Sequence, residues 1–247
     1  MNYRNSISKL ILILLFSFIY ESGMSQQKQT NDYTALVSLF KEWRSFEKPP
    51  LLNGAPDYTN VSFNKRWSAF KILQSRLNGM DTSLMSIEQK VDWMLVWAEM
   101  NGYDFNHRVL KPWNRDPAFY KTIFTERSDV PAHEGPTHHA IIDLWKYNFP
   151  LSAADKNKLI DQLKVIAPLN EQARLNLTGN ARELWIAGIN DIKSQKNDLI
   201  ELLEKPGIKE DASLQNIINQ SIVSTEKLAK WLEAESYKKT GPSGIGK

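Results

Sequence analysis

Helical spacing of apolar residues dominates the chain after residue 30. Leu36, Leu39, Phe40, Trp43 and Phe46 recur at intervals of three and four behind Asp32, a candidate cap, and predict one stripe on a helix of about four turns. Phe63, Trp67, Phe70, Leu73 and Leu77 repeat the pattern, and Asn78-Gly79 stops it. Ser86-Ile-Glu-Gln89 has capping-box spacing and opens a helix containing the apolar run Trp93-Met-Leu-Val-Trp-Ala98. A helix apolar nearly all round is usually buried, so this segment reads as the central helix of the core. Ser152-Ala-Ala-Asp155 starts another helix, carried by Leu159, Leu163 and Ile166 and expected to end at Pro168. Trp185, Ile189, Ile192, Leu199 and Leu203 mark a long amphipathic helix closed by Pro206-Gly207. Leu214, Ile217, Ile218, Leu228, Trp231 and Leu232 mark one more. No stretch alternates with period two between turn residues. The expectation is an all-α, irregular multi-helix domain of seven or eight helices.

Residues 101–150 break the rhythm, with Pro112, Pro117, Pro131, Pro136 and Pro150 punctuating a stretch that holds Trp113, Trp145 and all four histidines. Helices here must be short, although Asp116-Pro117 is a good start signal. Aromatics in irregular chain predict a loop laid on the helices or a pocket wall. At the front, Arg4 and Lys9 precede the apolar run Leu10–Ile19, followed by Ser22, Gly23 and Ser25. That order is a secretory signal peptide over residues 1–25, too short in its apolar part to span a bilayer. The mature helical domain is then residues 26–247, exported to a periplasm or the exterior, with no stable membrane anchor after cleavage.

Composition narrows the chemistry by exclusion. The 247 residues contain no cysteine, which removes disulfide scaffolds, thiolate metal sites and cysteine nucleophiles. A net charge of +3, from 31 Lys and Arg against 28 Asp and Glu, gives no electrostatic reason for a nucleic-acid partner.

Three constellations invite a functional reading. His133-Glu134-Gly-Pro-Thr-His138-His139 approaches the zinc-protease pattern H-E-x-x-H, but its histidines lie five apart with Gly135-Pro136 between them, so no helix face can bring them together. A packed polar turn or a substrate-contacting loop is the favoured reading, with a loop-bound metal the lesser one. Gly241-Pro-Ser-Gly-Ile-Gly-Lys247 spells the phosphate-binding loop G-x-x-x-x-G-K, yet a helical segment precedes it and no Ser or Thr follows for magnesium. It is expected to be a glycine-rich connection, and no nucleotide is expected. The third group is Glu99, Asp104, His107, Arg108 and Arg115 with Asp116. Asp92 and Glu99 lie seven apart on one face of the most apolar helix, and buried carboxylates need partners. A buried ion-pair network tying the loop to the core helix is the structural reading; an acid–base or substrate-carboxylate site is the functional one. The candidate substrate-binding residues are therefore Glu99, Asp104, His107, Arg108, Arg115, His133 and Glu134, with no catalytic residue and no metal ligand assigned.

Three phrases together carry a family resemblance: Asp92-Trp through Trp97-Ala-Glu-Met-Asn-Gly-Tyr-Asp-Phe-Asn-His-Arg108, then Pro112-Trp-Asn-Arg-Asp-Pro-Ala-Phe-Tyr120, and Asn176-Leu-Thr-Gly-Asn-Ala-Arg182. They resemble the N-terminal part of bacterial "domain of unknown function 885" proteins, which are similar to large helical metallopeptidases of the zincin type. The resemblance implies a zinc-dependent hydrolase of peptides. The His-Glu-x-x-Pro-Gly-His-like motif of that family is absent here, so the chain reads as a front part truncated before it. Zinc and a peptide substrate are expected only with the missing C-terminal part. The expected function is thus the N-terminal helical fragment of an exported, metallopeptidase-like protein. The alternative is a self-contained helical binding module that presents its aromatic, histidine-rich loop to a ligand or partner.

Overall fold

In the computed structural model, which describes residues 33–127 and 139–246, helices carry nearly all of the chain's regular structure. In chain order they are α1 (residues 33–47), α2 (Asn60–Asn78), α3 (Ile87–Phe105), the four-residue α4 (Pro112–Arg115), α5 (Ala153–Leu163), α6 (Ile166–Asn176), α7 (Arg182–Leu203) and α8 (Ala212–Glu235). Four two-residue strands complete it: β1 (Leu51–Leu52) with β2 (Ala55–Pro56) antiparallel, and β3 (Ile123–Phe124) with β4 (Ile142–Asp143) parallel. Strands this short leave no alternation to detect in a sequence. The segment 1–25 and the pair His133 and Glu134 lie outside the described residues.

The described chain divides into two compact units, residues 33–46 with 68–101 and residues 47–67 with 102–246. In the first, Leu36, Leu39 and Trp43 of α1 are buried, as are Phe70, Leu73 and Leu77 of α2 and Val96 and Met100 of α3. The Trp43 ring lies 5.8 Å from Phe46 and 5.9 Å from Phe70. Its indole N–H donates to Glu99 Oε2 at 3.1 Å, while the Trp93 N–H donates to the Leu77 carbonyl at 3.1 Å. The capping box is complete: Ser86 N–H reaches Gln89 Oε1 at 3.1 Å, and Gln89 N–H reaches Ser86 Oγ at 3.3 Å.

The expected central position of α3 is corrected. Met94 and Leu95 are 61% and 60% exposed, and Ile87, Val91 and Trp97 are exposed as well, so only one stripe of the helix is buried. An apolar circumference states what a helix could bury, and geometry decides how much of it meets a neighbour. The buried carboxylate network on this helix is corrected at Asp92 and Glu99 for the same reason, whereas Asp104 is buried and paired with Arg108. Glu99 is exposed and accepts from Trp43 and Arg44, and the exposed Asp92 accepts from the Tyr33 hydroxyl at 2.7 Å.

In the second unit, Asn53 and Gly54, both at positive φ (53° and 86°), turn β1 into β2. This hairpin is tied to α6 by buried amides. Gln172 donates to the Pro56 carbonyl and accepts from Tyr58 N–H, each at 3.0 Å, and Asn176 Nδ2 donates to the Tyr58 carbonyl at 3.0 Å. Gln195 of α7 does the same for β3, its Oε1 accepting from Thr122 N–H at 2.5 Å and Ile123 N–H at 3.1 Å. Such side chains replace the ladder partners that an isolated two-residue strand lacks. Trp185 of α7 is fully buried and donates its indole N–H to the Leu232 carbonyl of α8 at 2.8 Å. Gly188 lets α7 approach closely: a Cβ there would stand 2.7 Å from Pro117 Cβ.

Helix ends follow local chemistry. Ser152 Oγ accepts from Asp155 N–H at 3.1 Å and opens α5, and α7 stops short of Gly207, which has φ of 80°. Pro168, expected to end a run, instead sits in the first turn of α6, where a missing N–H costs no helix bond.

Candidate functional site

In the second unit a stretch of irregular backbone coincides with a gathering of polar and aromatic side chains. After Phe105 the chain widens into a π-helical turn, Asn106–Leu110, closed by Lys111 N–H on the Asn106 carbonyl at 2.8 Å. Pro112 disfavours the helical conformation for the residue before it. Lys111 leaves the turn at φ 43°, ψ 55°, left-handed for a residue that is not glycine, and α4 restarts with Pro112 in its first turn. Backbone of this kind costs on the order of 1–3 kcal/mol and collects at functional sites.

The turn brings His107 against the aromatic residues of α2 and α4. Its imidazole stacks on Trp67, centroids 4.2 Å apart and planes at 13°, and meets Phe63 edge-on at 5.6 Å. Phe63 in turn stacks on Trp113 at 3.8 Å. Trp113 is held from two sides: its N–H donates to Asn60 Oδ1 at 3.3 Å, and its carbonyl accepts from the Tyr120 hydroxyl at 2.7 Å. His107 Nδ1 is buried and has no hydrogen-bond partner among the described residues. Burial, with the nearby Lys111 ammonium, holds the His107 pKa below the ordinary histidine value against the opposing pull of Asp104. The imidazole is therefore neutral at pH 7.

One residue on, Arg108 is clamped to the buried carboxylate of Asp104. Nε donates to Oδ2 at 2.8 Å and Nη2 donates to the same oxygen. That hydrogen bond raises the Arg108 pKa and fixes the guanidinium at the surface.

Hollows lie on both sides of His107. The inner one, about 40 Å³, is bordered by Tyr58, Arg66, Tyr103 and His139. Its polar rim is desolvated: burial pushes the Tyr58 and Tyr103 phenols up and the Arg66 guanidinium down. The Tyr58 hydroxyl accepts from His139 N–H at 2.8 Å. The outer one is an open groove of about 360 Å³ walled by Asn60, Asn64, Trp67, Arg108, Lys111 and Trp113. That volume falls at the lower end of the range for small-ligand sites. Among the described residues no carboxylate lines the groove, and Lys111 has no ion-pair partner.

Of the candidates drawn from the sequence, Asp104, His107 and Arg108 come together here. Glu99 lies in the other unit and is exposed. Arg115 belongs to a structural contact, Nη2 donating to the Ser243 carbonyl at 2.8 Å. Asp116 caps the short turn Pro117–Tyr120 by accepting from Ala118 N–H at 2.9 Å, and burial raises its pKa. Sequence reasoning missed Trp67, Asn60, Asn64 and Lys111. Trp67 sits in the apolar stripe of α2 and looks like any core residue, whereas Lys111-Pro112 carried a usable signal of a forced backbone bend. Among the described residues no group of three or more His, Asp or Glu could hold a metal ion.

The glycine-rich phrase has a structural task. Ser243 Oγ accepts from the Glu183 and Leu184 N–H groups at 2.8 and 3.0 Å, filling the first turn of α7 with a hydroxyl. Asn180 Oδ1 holds Thr240 and Gly241 N–H, and the Gly241 carbonyl accepts from Arg182 N–H. What precedes the phrase is α8 and a short helical turn rather than the strand that phosphate-binding loops follow.

No family model matches the chain, and no curated protein matches it. Among solved structures it is similar to a candidate lipoprotein of unknown function from Shewanella oneidensis, with a TM-score of 0.55 and 14% identity. The match covers 87% of this chain and 38% of that one, so the chain spans well under half the length of this neighbour. At that identity the likeness concerns the helical fold alone. Among the described residues no helix is long and apolar enough to cross a membrane.

Proposed function

We propose that this chain is a helical binding module whose ligand site is the groove at the π-helical turn. The observation that carries the reading is the abrupt end of α3: strained Lys111 and the π turn place His107, Arg108 and Lys111 on one wall of a groove whose other wall is Asn60, Asn64 and Trp67 of α2. A neutral imidazole fixed in an aromatic stack, beside cations held at the rim, is suited to orienting a small ligand. The test is a thermal-shift screen of small ligands against the wild type and Trp67→Ala. A ligand present at a hundred times its Kd adds about 2.7 kcal/mol, hence raises Tm by about 5–10 °C for a chain of this size. At least one hit is expected that the variant loses; hits shared equally by both proteins, or none, overturn the reading.

A second reading sets the module in a larger frame. Two of the three phrases that resemble the "domain of unknown function 885" proteins, Pro112–Tyr120 and Asn176–Arg182, meet physically in the second unit. Asn114 Nδ2 donates to the Asn176 carbonyl at 2.9 Å, Gly179 N–H donates to the Asn114 carbonyl at 2.9 Å, and Asn176 Nδ2 donates to the Tyr120 hydroxyl at 3.0 Å. Their convergence supports treating them as one part of an exported, metallopeptidase-like protein, with this groove as a wall of its substrate cleft. In that frame the purified chain carries no stoichiometric zinc and cleaves no peptide. Elemental analysis finding one tightly held zinc, lost on His133→Ala, would reverse it.

A further inference from the structure

The groove proposed above as a ligand site has a chemistry that narrows what it can take. Its two rim cations, Arg108 and Lys111, lie three residues apart; Arg108 is already paired with Asp104, and Lys111 has no ion-pair partner among the described residues. Arg108 is immobilised by Asp104, and Lys111 projects from a fixed left-handed backbone. Opposite them, Asn60 and Asn64 are exposed one helical turn apart on α2. The Asn60 oxygen is used by the Trp113 N–H, which leaves its amide hydrogens for a ligand. Continuous with the α2 wall, the part-exposed Trp67 and Phe63 form an apolar floor, with the buried Trp113 stacked against Phe63.

We infer that the ligand is an acidic saccharide, a uronate unit whose carboxylate meets Lys111 and Arg108 while its hydroxyls bond Asn60 and Asn64 and its C–H surface lies on the aromatic floor. Each wall answers one part of that molecule. Charge-assisted bonds recognise the carboxylate, amides serve hydroxyls that both donate and accept, and indole surface suits C–H groups. An acidic peptide fits less well. Strand addition, one way in which an extended peptide docks, needs a sheet edge, and here the walls are a helix and a π turn. Inorganic phosphate would use the cations but neither the amides nor the aromatic floor. The inference rests on the groove being a ligand site, and the experiment separates failure of the two.

Trimers of galacturonate, glucuronate and mannuronate are titrated into the full chain, followed by tryptophan fluorescence and calorimetry, alongside the uncharged galactose and glucose trimers, a triglutamate peptide and inorganic phosphate. At least one uronate trimer is expected to bind ten-fold or more tightly than its uncharged counterpart, with affinity falling as salt rises. Lys111→Asn, which tolerates the left-handed backbone while removing the charge, and Asn64→Ala, at an exposed position, are each expected to weaken binding at least three-fold with Tm unchanged. Uncharged trimers, triglutamate or phosphate binding as well as the uronates, in a manner these variants still weaken, overturns the acidic-saccharide assignment and leaves the groove reading standing. Uronate binding that neither variant alters overturns the assignment to this groove. Binding by none of these probes overturns the inference, and a simultaneous failure of the Trp67 screen removes the groove reading with it.

Discussion

At His107 a single ring ties the site to the stability of the fold. Because the folded state holds the imidazole neutral below its ordinary pKa, the unfolded chain binds more protons at acidic pH, and folding stability is lost as pH falls through and below about 6.5. Urea unfolding at pH 7.5 and pH 5 is expected to show a larger loss for the wild type than for His107→Phe, which keeps an aromatic ring on Trp67 but cannot titrate. An equal loss in both would show that the protonation of His107 is not differentially opposed by folding. Asp104, His107 and Arg108 were legible together because positions three and four apart share a helix face, whatever the rest of the chain does. Trp67, Asn60 and Asn64 come from about forty residues or more upstream, and no local pattern links them to the π turn.

Among the elements, the junction between α7 and the short turn Pro117–Tyr120 is the tightest. Alanine in place of a mid-helix glycine normally favours the helix by about 1 kcal/mol. At Gly188 the added Cβ would meet Pro117 Cβ at 2.7 Å and the Ala118 backbone nitrogen at 2.8 Å, neither of which can rotate aside. Gly188→Ala is expected to be destabilising by about 1–2 kcal/mol net, a fall in Tm of about 2–8 °C, checked by thermal unfolding. An unchanged or raised Tm would mean that the two elements separate more freely than the packing implies. Helix starts and stops were the most readable elements in the sequence, since Ser86, Ser152 and Gly207 act on backbone groups within a few residues of themselves. Pro168 misled because proline marks both an ending and a first turn, and only the position of the next helix distinguishes them.

For the molecule as a whole, the helical class followed from periodicity, but which helix lies at the centre did not. The run Trp93–Ala98 has apolar residues for every direction, and α3 buries only the stripe carrying Val96 and Met100. Leu95→Ala is expected to change stability by less than about 0.5 kcal/mol, as for an exposed position, whereas Met100→Ala, fully buried, should cost about 2–5 kcal/mol. Denaturant titrations of the two variants compare them directly, and comparable losses would place Leu95 inside a core. The buried amides Gln172, Asn176 and Gln195 of the second unit show why its two-residue strands persist: helices supply the partners that a wider sheet would.

The hydroxyl of Ser243 caps the first turn of α7 from outside that helix, and this gives segment 240–246 a readable timescale. The amides of Glu183 and Leu184 can exchange with solvent deuterium only when that hydroxyl moves away. Their exchange rates are thus a clock for detachment of residues 240–246, one that runs without regard to the unfolding of α7 itself.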